Sequence, residues 1–159
     1  FDEHGQAHMV DVGSKSNTRR RAIATGKIQV SAEAYNCVLS GNNKKGDVLS
    51  VARIAAIQAS KQTSTLIPLC HPLALSHVSA EFNLLPDETT IALTVTAETT
   101  GQTGVEMEAL CAVNIGLLTV YDMLKAVDKT MCITEIHLLH KTGGKSGVWN
   151  HPKLTAEHS

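Results

Sequence analysis

The stretch Thr103–Lys125, TGVEMEALCAVNIGLLTVYDMLK, decides the reading of this chain because it is the longest segment with one consistent helical period. Val105, Leu110, Val113, Leu117, Val120, Tyr121 and Leu124 recur at helical spacing, enough for a buried face. Thr103 is expected to cap the helix, its side-chain oxygen accepting an orphan N–H, and Glu106 stands where a capping box places a carboxylate. Charged residues stand out against this apolar background: Glu108 near the start, Asp122 and Lys125 near the end. Asp122 and Lys125 are neighbours on one helix face. Such a pair is either a surface ion pair or an acid/base pair on a rigid support, and the helix alone leaves both open.

Outward from that helix the chain alternates between the two regular periods. Arg19 to Val30 reads as a first strand, rich in Ala, Ile, Thr and Val. Ser31 can cap a short helix, AEAYNCVL, that ends before Gly41, and Asp47 can cap a second, VLSVARIAAIQASKQT. Pro68 and Pro72 bound a loop, since proline cannot continue a helix interior. His77–Leu85 and Thr90–Thr99 alternate with period two on either side of the turn Pro86-Asp87-Glu88, an antiparallel hairpin. Met131–His140 is a last strand before a glycine-rich tail. The order predicts an α+β fold of the ferredoxin-like βαββαβ kind, an antiparallel sheet with helices packed on one face. Residues 1–18 read as a flexible lead-in, 19–147 as a single α+β domain and 148–159 as a C-terminal tail.

Composition narrows the function classes. A chain of 159 residues is long enough for one real core. A formal net charge of −1 supplies no global field for nucleic acid or an acidic membrane, and 3% aromatics leave few platforms for stacking bases. No nucleic-acid or membrane partner is therefore expected, since no apolar run approaches the roughly 20 residues of a membrane span. Cys37, Cys70, Cys111 and Cys132 show no short paired spacing and read as reduced thiols, and with no secretory pattern at the start the expected location is cytoplasmic.

Four motifs carry chemistry. LIPLCHP, Leu66–Pro72, holds Cys70 and His71 between stiffening prolines. His77 could add a third zinc ligand, but structural zinc sites show two spaced ligand pairs and none occurs here. A turn that presents His71 to a ligand is the better reading. GGKSG, Gly143–Gly147, has the end of a P-loop without its first glycine, since Leu139 stands there. Its backbone N–H groups and Lys145 could still hold phosphate oxygens, or the segment is simply a tail. Lys45, in Lys45-Gly46-Asp47, precedes a helix whose positive dipole end favours an anion; a solvated turn lysine is the bland alternative. His137 and His140, three apart on a strand, are expected on opposite faces, which argues against a joint site.

Taken in order, MVDVGSK from Met9, KKGDVLSVARIAAIQASKQTSTLIPLCHPLALSHV, TGVEMEAL, TVYDMLKAVDK and LLHKTGGKSG closely resemble the cyclic pyranopterin monophosphate synthase family, the MoaC proteins of molybdenum cofactor biosynthesis. The resemblance runs to about Gly147, nearly the whole chain. It implies a lyase with no cofactor and no metal, acting on a GTP-derived small molecule that a radical enzyme makes upstream. That substrate, (8S)-3′,8-cyclo-7,8-dihydroguanosine 5′-triphosphate, is converted to cyclic pyranopterin monophosphate with release of pyrophosphate. The resemblance places the catalytic aspartate of YDM-x-K on Asp122, its lysine on Lys125 and the lysine of KGD on Lys45. It implies substrate contacts at Leu69, Cys70, His71, Met107 and Glu108, a phosphate-facing Lys145, and Arg20 as a further, weaker-matched position. It also implies a homohexamer, a trimer of dimers. A binding module that holds a phosphorylated pterin or nucleotide without turnover is the alternative class, set against the presence of Lys45, Asp122 and Lys125.

Helix geometry adds one constraint of its own. Glu108 and Asp122 are 14 positions apart, about 21 Å along a straight helix. One compact centre could hardly use both from a single chain, which leads to the expectation of a site formed between subunits.

Overall fold

β1 (Thr18–Gln29) lies at the centre of the sheet. Ala22, Ala24 and Ile28 are fully buried, while Arg19, Arg21 and Gln29 face solvent, the period-two signature of a strand with one covered side. The computed structural model describes residues 5–10 and 17–152, so parts of the lead-in and of the C-terminal tail lie outside the described residues. β2 (His77–Leu85), β3 (Thr90–Gly101) and β4 (Cys132–Thr142) complete the four expected strands, and all pairings are antiparallel. The strand order β2-β3-β1-β4-β5 places β1 and β3 inside, as the ferredoxin-like pattern requires. The fold is α+β, with the helices on one sheet face.

The caps at Ser31 and Asp47 form as the sequence predicts. Ser31 Oγ accepts from Ala34 N at 3.1 Å to open α1 (Ala32–Ser40), and Asp47 Oδ1 accepts from Ser50 N at 3.1 Å to open α2 (Val48–Lys61). A single further turn, α3 (Thr63–Leu66), leads into the proline loop. α4 (Glu106–Leu124) crosses the sheet and packs on both β1 and α2. Gly26 in β1 makes room for it: a Cβ there would stand 2.8–2.9 Å from Ile136, Leu117 and Val113 side-chain carbons. On the other side Gly116 of α4 meets Ala56 of α2 and Leu93 of β3, so two helices and the sheet close without a gap. Val113, Leu117, Val120 and Leu124 are fully buried along α4, each contributing roughly 1.5–3 kcal/mol. Among the described residues α4 alone is long and apolar enough to pass for a membrane span. Half of that stretch is buried inside the fold, the pattern of a core helix.

Two local expectations are corrected. Thr103 does not cap α4: the helix begins at Glu106, its cap position is Val105, and no side chain caps it. The Glu106 carboxylate instead pairs with Lys141 Nζ at 3.4 Å, so the group meant to close the capping box is held by a strand. In the C-terminal segment Trp149–Asn150 forms β5 and adds a strand to the free edge of β4. His137 and His140 do not point to opposite faces. The register pairs them with Thr25 and Ile23, two positions on the same face of β1, because β4 carries one extra residue between Leu138 and His140.

The turn after α4 is fastened through Asp128. Its Oδ2 accepts from Ser31 N at 2.9 Å, and its Oδ1 accepts from Thr130 N at 2.8 Å and Thr130 Oγ1 at 2.6 Å. One carboxylate thus joins the start of α1 to the connection between α4 and β4.

Candidate functional site

The two ends of α4 carry two separate groups of candidate site residues. At its start, the proline loop folds back over the first turn. Cys70 N donates to Ile67 O at 3.1 Å, and downstream Thr99 Oγ1 donates to Ala74 O at 2.6 Å while Ser76 N donates to Glu98 O at 2.8 Å. Held at both limbs, the loop brings Leu69, Cys70 and His71 against Met107 and Glu108, around a hollow of about 490 Å³. Leu69 and Met107 are exposed, but Glu108 is only 3% exposed, an acid inside the rim of the cavity.

That burial governs its chemistry. Desolvation pushes the Glu108 carboxyl above its ordinary value, opposed in part by hydrogen bonds from its own backbone and from Cys70. The Cys70 thiol lies 3.6 Å from Glu108 Oε2 and is itself pushed up to about 11, first by burial and then by the neighbouring carboxylate. A thiol so placed is a hydrogen-bond donor to the acid and a poor nucleophile at neutral pH. His77 is not part of this group. It lines a different hollow on the open face of the sheet with Arg21, Ser79 and Glu81, so Cys70, His71 and His77 do not gather as zinc ligands. Among the described residues no group of three or more His, Cys, Asp or Glu side chains is assembled for a metal ion.

A second cavity, of about 670 Å³, adjoins the first through Thr103, Gly104 and Glu106. Arg20, Lys141 and Lys145 line it, three cations against the one carboxylate of Glu106. Arg20 is anchored by its Nε, which donates to Gly101 O at 2.9 Å. The loop beneath it needs glycine. Gly143 and Gly144 have φ of 103° and 75°, and a Cβ on either would strike the Arg19 carbonyl or the Arg20 guanidinium. The glycine-rich turn therefore packs on Arg20 rather than hanging free, and it brings Lys145 to the same cavity. Lys141 is the residue sequence reasoning did not single out as a site. Its direction depends on the irregular register of β4, which strand parity alone does not reveal.

Lys45, Asp122 and Lys125 meet at the other end of α4. Lys45 Nζ lies 3.2 Å from Asp122 Oδ2 and donates to Asp122 O at 3.0 Å, and Lys125 Nζ lies 3.1 Å from Asp122 Oδ1. Lys45 is expected to serve the start of α2; it reaches instead to the C-terminal end of α4, where unpaired carbonyls and the negative dipole end attract cations. Asn43 fixes its loop by donating from Nδ2 to Met123 O at 3.0 Å, and Gly46, with φ of 108°, makes the turn. Hydrogen bonds from Lys125 and then Lys45 hold the exposed Asp122 carboxyl below its ordinary value. One carboxylate and two ammonium groups thus meet, with Lys45 brought to Asp122 from 77 positions away in the chain.

Neither cavity at the start of α4 includes any member of this cluster. The 14-residue separation of Glu108 and Asp122 on one uninterrupted helix puts about 21 Å between them.

With that geometry in view, comparison with known protein families returns a match. The family described as "MoaC family" matches residues 9–144, most of the chain. The chain belongs to the MoaC family, an enzyme family of molybdenum cofactor biosynthesis.

Proposed function

From membership of the MoaC family we propose that this chain is a cyclic pyranopterin monophosphate synthase. The reaction converts (8S)-3′,8-cyclo-7,8-dihydroguanosine 5′-triphosphate to cyclic pyranopterin monophosphate and pyrophosphate. The observation that carries the reading is the Lys45–Asp122–Lys125 cluster, two ammonium groups within 3.2 Å of one exposed carboxylate. Ring rearrangement needs protons added and removed at successive positions. Hydrogen bonds from the two lysines keep the Asp122 carboxylate ionised, and it in turn orients both ammonium groups where a substrate can meet them. The cavity of Arg20, Lys141 and Lys145 suits the triphosphate, where cations offset charge as the cyclic phosphate closes and pyrophosphate leaves. Leu69, Cys70, His71, Met107 and Glu108 would hold the purine-derived part, with Glu108 and the Cys70 thiol as hydrogen-bonding groups.

The two groups belong to one reaction only if two chains share it. The active centre is accordingly formed between subunits of a homo-oligomer, a hexamer built as a trimer of dimers, in which the Asp122 end of one α4 faces the Glu108 end of its neighbour. The length of α4 supports this arrangement.

Two measurements test the reading. Purified chain incubated with the cyclic triphosphate releases pyrophosphate and pterin product, and Lys45→Ala or Lys125→Ala abolishes both while the fold persists; a wild type that binds the substrate without turnover would leave a binding module. For the shared centre, Glu108→Gln and Asp122→Asn proteins, each inactive alone, regain activity when their subunits are mixed. A fully active monomer, or no recovery on mixing, would refute the shared centre without touching the assignment of the reaction.

A further inference from the structure

The two cavities at the start of α4 share a wall, and Glu106 stands in it. The residue lines both hollows, beside Thr103 and Gly104. It is the first residue of α4, and no side chain caps that helix end. The positive end of the helix dipole favours an anion there. The Glu106 carboxylate supplies one, lying against Gly104 so closely that a Cβ on that residue would meet it.

Across the larger cavity Glu106 is opposed by cations. Lys141 Nζ lies 3.4 Å from its Oε1, and each of the two side chains keeps 31% of its surface exposed, so neither is sealed in. Arg20 and Lys145 complete the basic wall, with Arg20 fixed by its bond to Gly101 O. An ion pair this open to water adds little to the fold. Its position matters more, because the carboxylate stands where Lys141 would meet a phosphate oxygen.

We propose that Glu106 is an internal stand-in for the substrate's phosphate: it holds Lys141 before substrate enters and sets how tightly the cavity keeps pyrophosphate. This rests on the reading of that cavity as the triphosphate site. Carboxylate and phosphate oxygens accept from the same ammonium, and the two anions repel each other at close range. Arrival of the triphosphate therefore moves Lys141 from carboxylate to phosphate, and Glu106 turns toward the adjoining hollow, whose wall it already forms. When pyrophosphate leaves, the exchange runs backward. Glu106 makes and breaks no covalent bond; it acts through Lys141 and is a positioning residue. Its charge weakens binding and speeds release, whereas three cations with no carboxylate among them would retain the product.

The test is a calorimetric titration of the full chain with inorganic pyrophosphate, in EDTA so that no divalent cation joins the anion. Glu106→Gln, which keeps the shape and removes the charge, should lower Kd about tenfold. Glu106→Ala should do the same, and Glu106→Asp should stay near wild type. The sign is diagnostic, because damage to the fold weakens binding and removal of a competing carboxylate tightens it. Lys141→Ala should weaken binding, and adding Glu106→Gln to it should then give a smaller gain, since the two anions no longer compete for one ammonium. In turnover, inhibition by pyrophosphate should strengthen in Glu106→Gln as far as Kd falls. A Kd unchanged or raised in both Glu106→Gln and Glu106→Ala would overturn the stand-in while leaving the cavity's role intact. No pyrophosphate step below about 1 mM, or a step that Lys141→Ala and Lys145→Ala both leave unaltered, would instead overturn the triphosphate reading of the cavity, and the stand-in with it.

Discussion

At the N-terminal end of α4 the acid Glu108 is buried beside a thiol; at the C-terminal end the acid Asp122 is exposed and flanked by two lysines. Glu108 has withdrawn from solvent beside the Cys70 thiol, and burial drives it toward the protonated form. Asp122 stands in water between Lys45 and Lys125, and their hydrogen bonds drive it toward the ionised form. Two carboxylates on one helix are thus tuned in opposite directions, Glu108 by enclosure under the proline loop, Asp122 first by Lys125 at the end of the same helix and then by Lys45 from the turn around Gly46. The difference teaches where sensitivity should lie: substitution at the exposed end should cost reaction and little stability, whereas at the buried end it should alter both.

The largest expected effect is at Asp122. Asp122→Asn keeps the shape and removes the charge, and general acid/base groups typically contribute 10²–10⁴-fold, so kcat should fall by about that range. Thermal unfolding should change little, because exposed ion pairs add little to stability. A large drop in Tm alongside the loss of rate would erase the contrast between the two ends. Next in size is the chemistry of Cys70. With its thiol pushed up to about 11 from 9.0, alkylation by iodoacetamide at pH 8 should run about 100-fold slower than for an ordinary thiol. Because burial is the largest cause and Glu108 the second, Glu108→Gln should restore only part of that rate. Full restoration would mean that the carboxylate, not the enclosure, controls the hollow.

Glu108→Gln should also separate stability from activity. A carboxyl whose folded-state value is raised stabilises the fold fully below its unfolded value, near 4.3, and loses that contribution as pH rises through the folded one. Removing the ionisable group should therefore raise Tm at neutral pH, by about 2–4 °C, with the advantage vanishing near pH 4. Product formation should fall at the same time. A Tm unchanged between pH 4 and 8 relative to wild type would show that Glu108 ionises in the fold at no cost.

Most of the fold was legible because its signals are local. Ser31 and Asp47 cap their helices through the residue three positions on, and the hairpin around Pro86 needs only alternation and a turn. The errors fall where a distant group intervened. Thr103 has the right spacing for a cap, but Lys141 takes Glu106, and that lysine arrives from another strand. The shared face of His137 and His140 depends on an extra residue in β4, which no two-residue period announces. In the site, the sequence brought Asp122 and Lys125 to notice as a pair and Lys45 apart from them, while the meeting of all three depends on Asn43 reaching the Met123 carbonyl across the fold. Lys141 lay in plain view as a basic residue, and only the cavity shared with Arg20 gives it a role to test.

The smallest effect concerns the acid just beyond α4, and it sharpens what makes Asp122 different. Asp128 is also held below its ordinary value, but chiefly by the Thr130 hydroxyl and the backbone N–H groups of Thr130 and Ser31 rather than by lysines. Its lowered folded value means that its stabilising contribution is present above the unfolded carboxylate value, near 3.9, and is lost as pH falls through the folded one. Asp128→Asn should therefore lower Tm modestly at pH 6 and converge with wild type as the solution is acidified below pH 3. Asp122→Asn, tested beside it, should show a flatter Tm difference over the same range, because its partners are exposed lysines screened by water and salt. At about 0.5 M salt the Asp122 difference should shrink further and the Asp128 difference persist, since backbone donors do not depart with ionic strength. Equal responses of the two acids to pH and salt would mean that the lysine cluster is as structural as the turn, and the division of labour along α4 would fail.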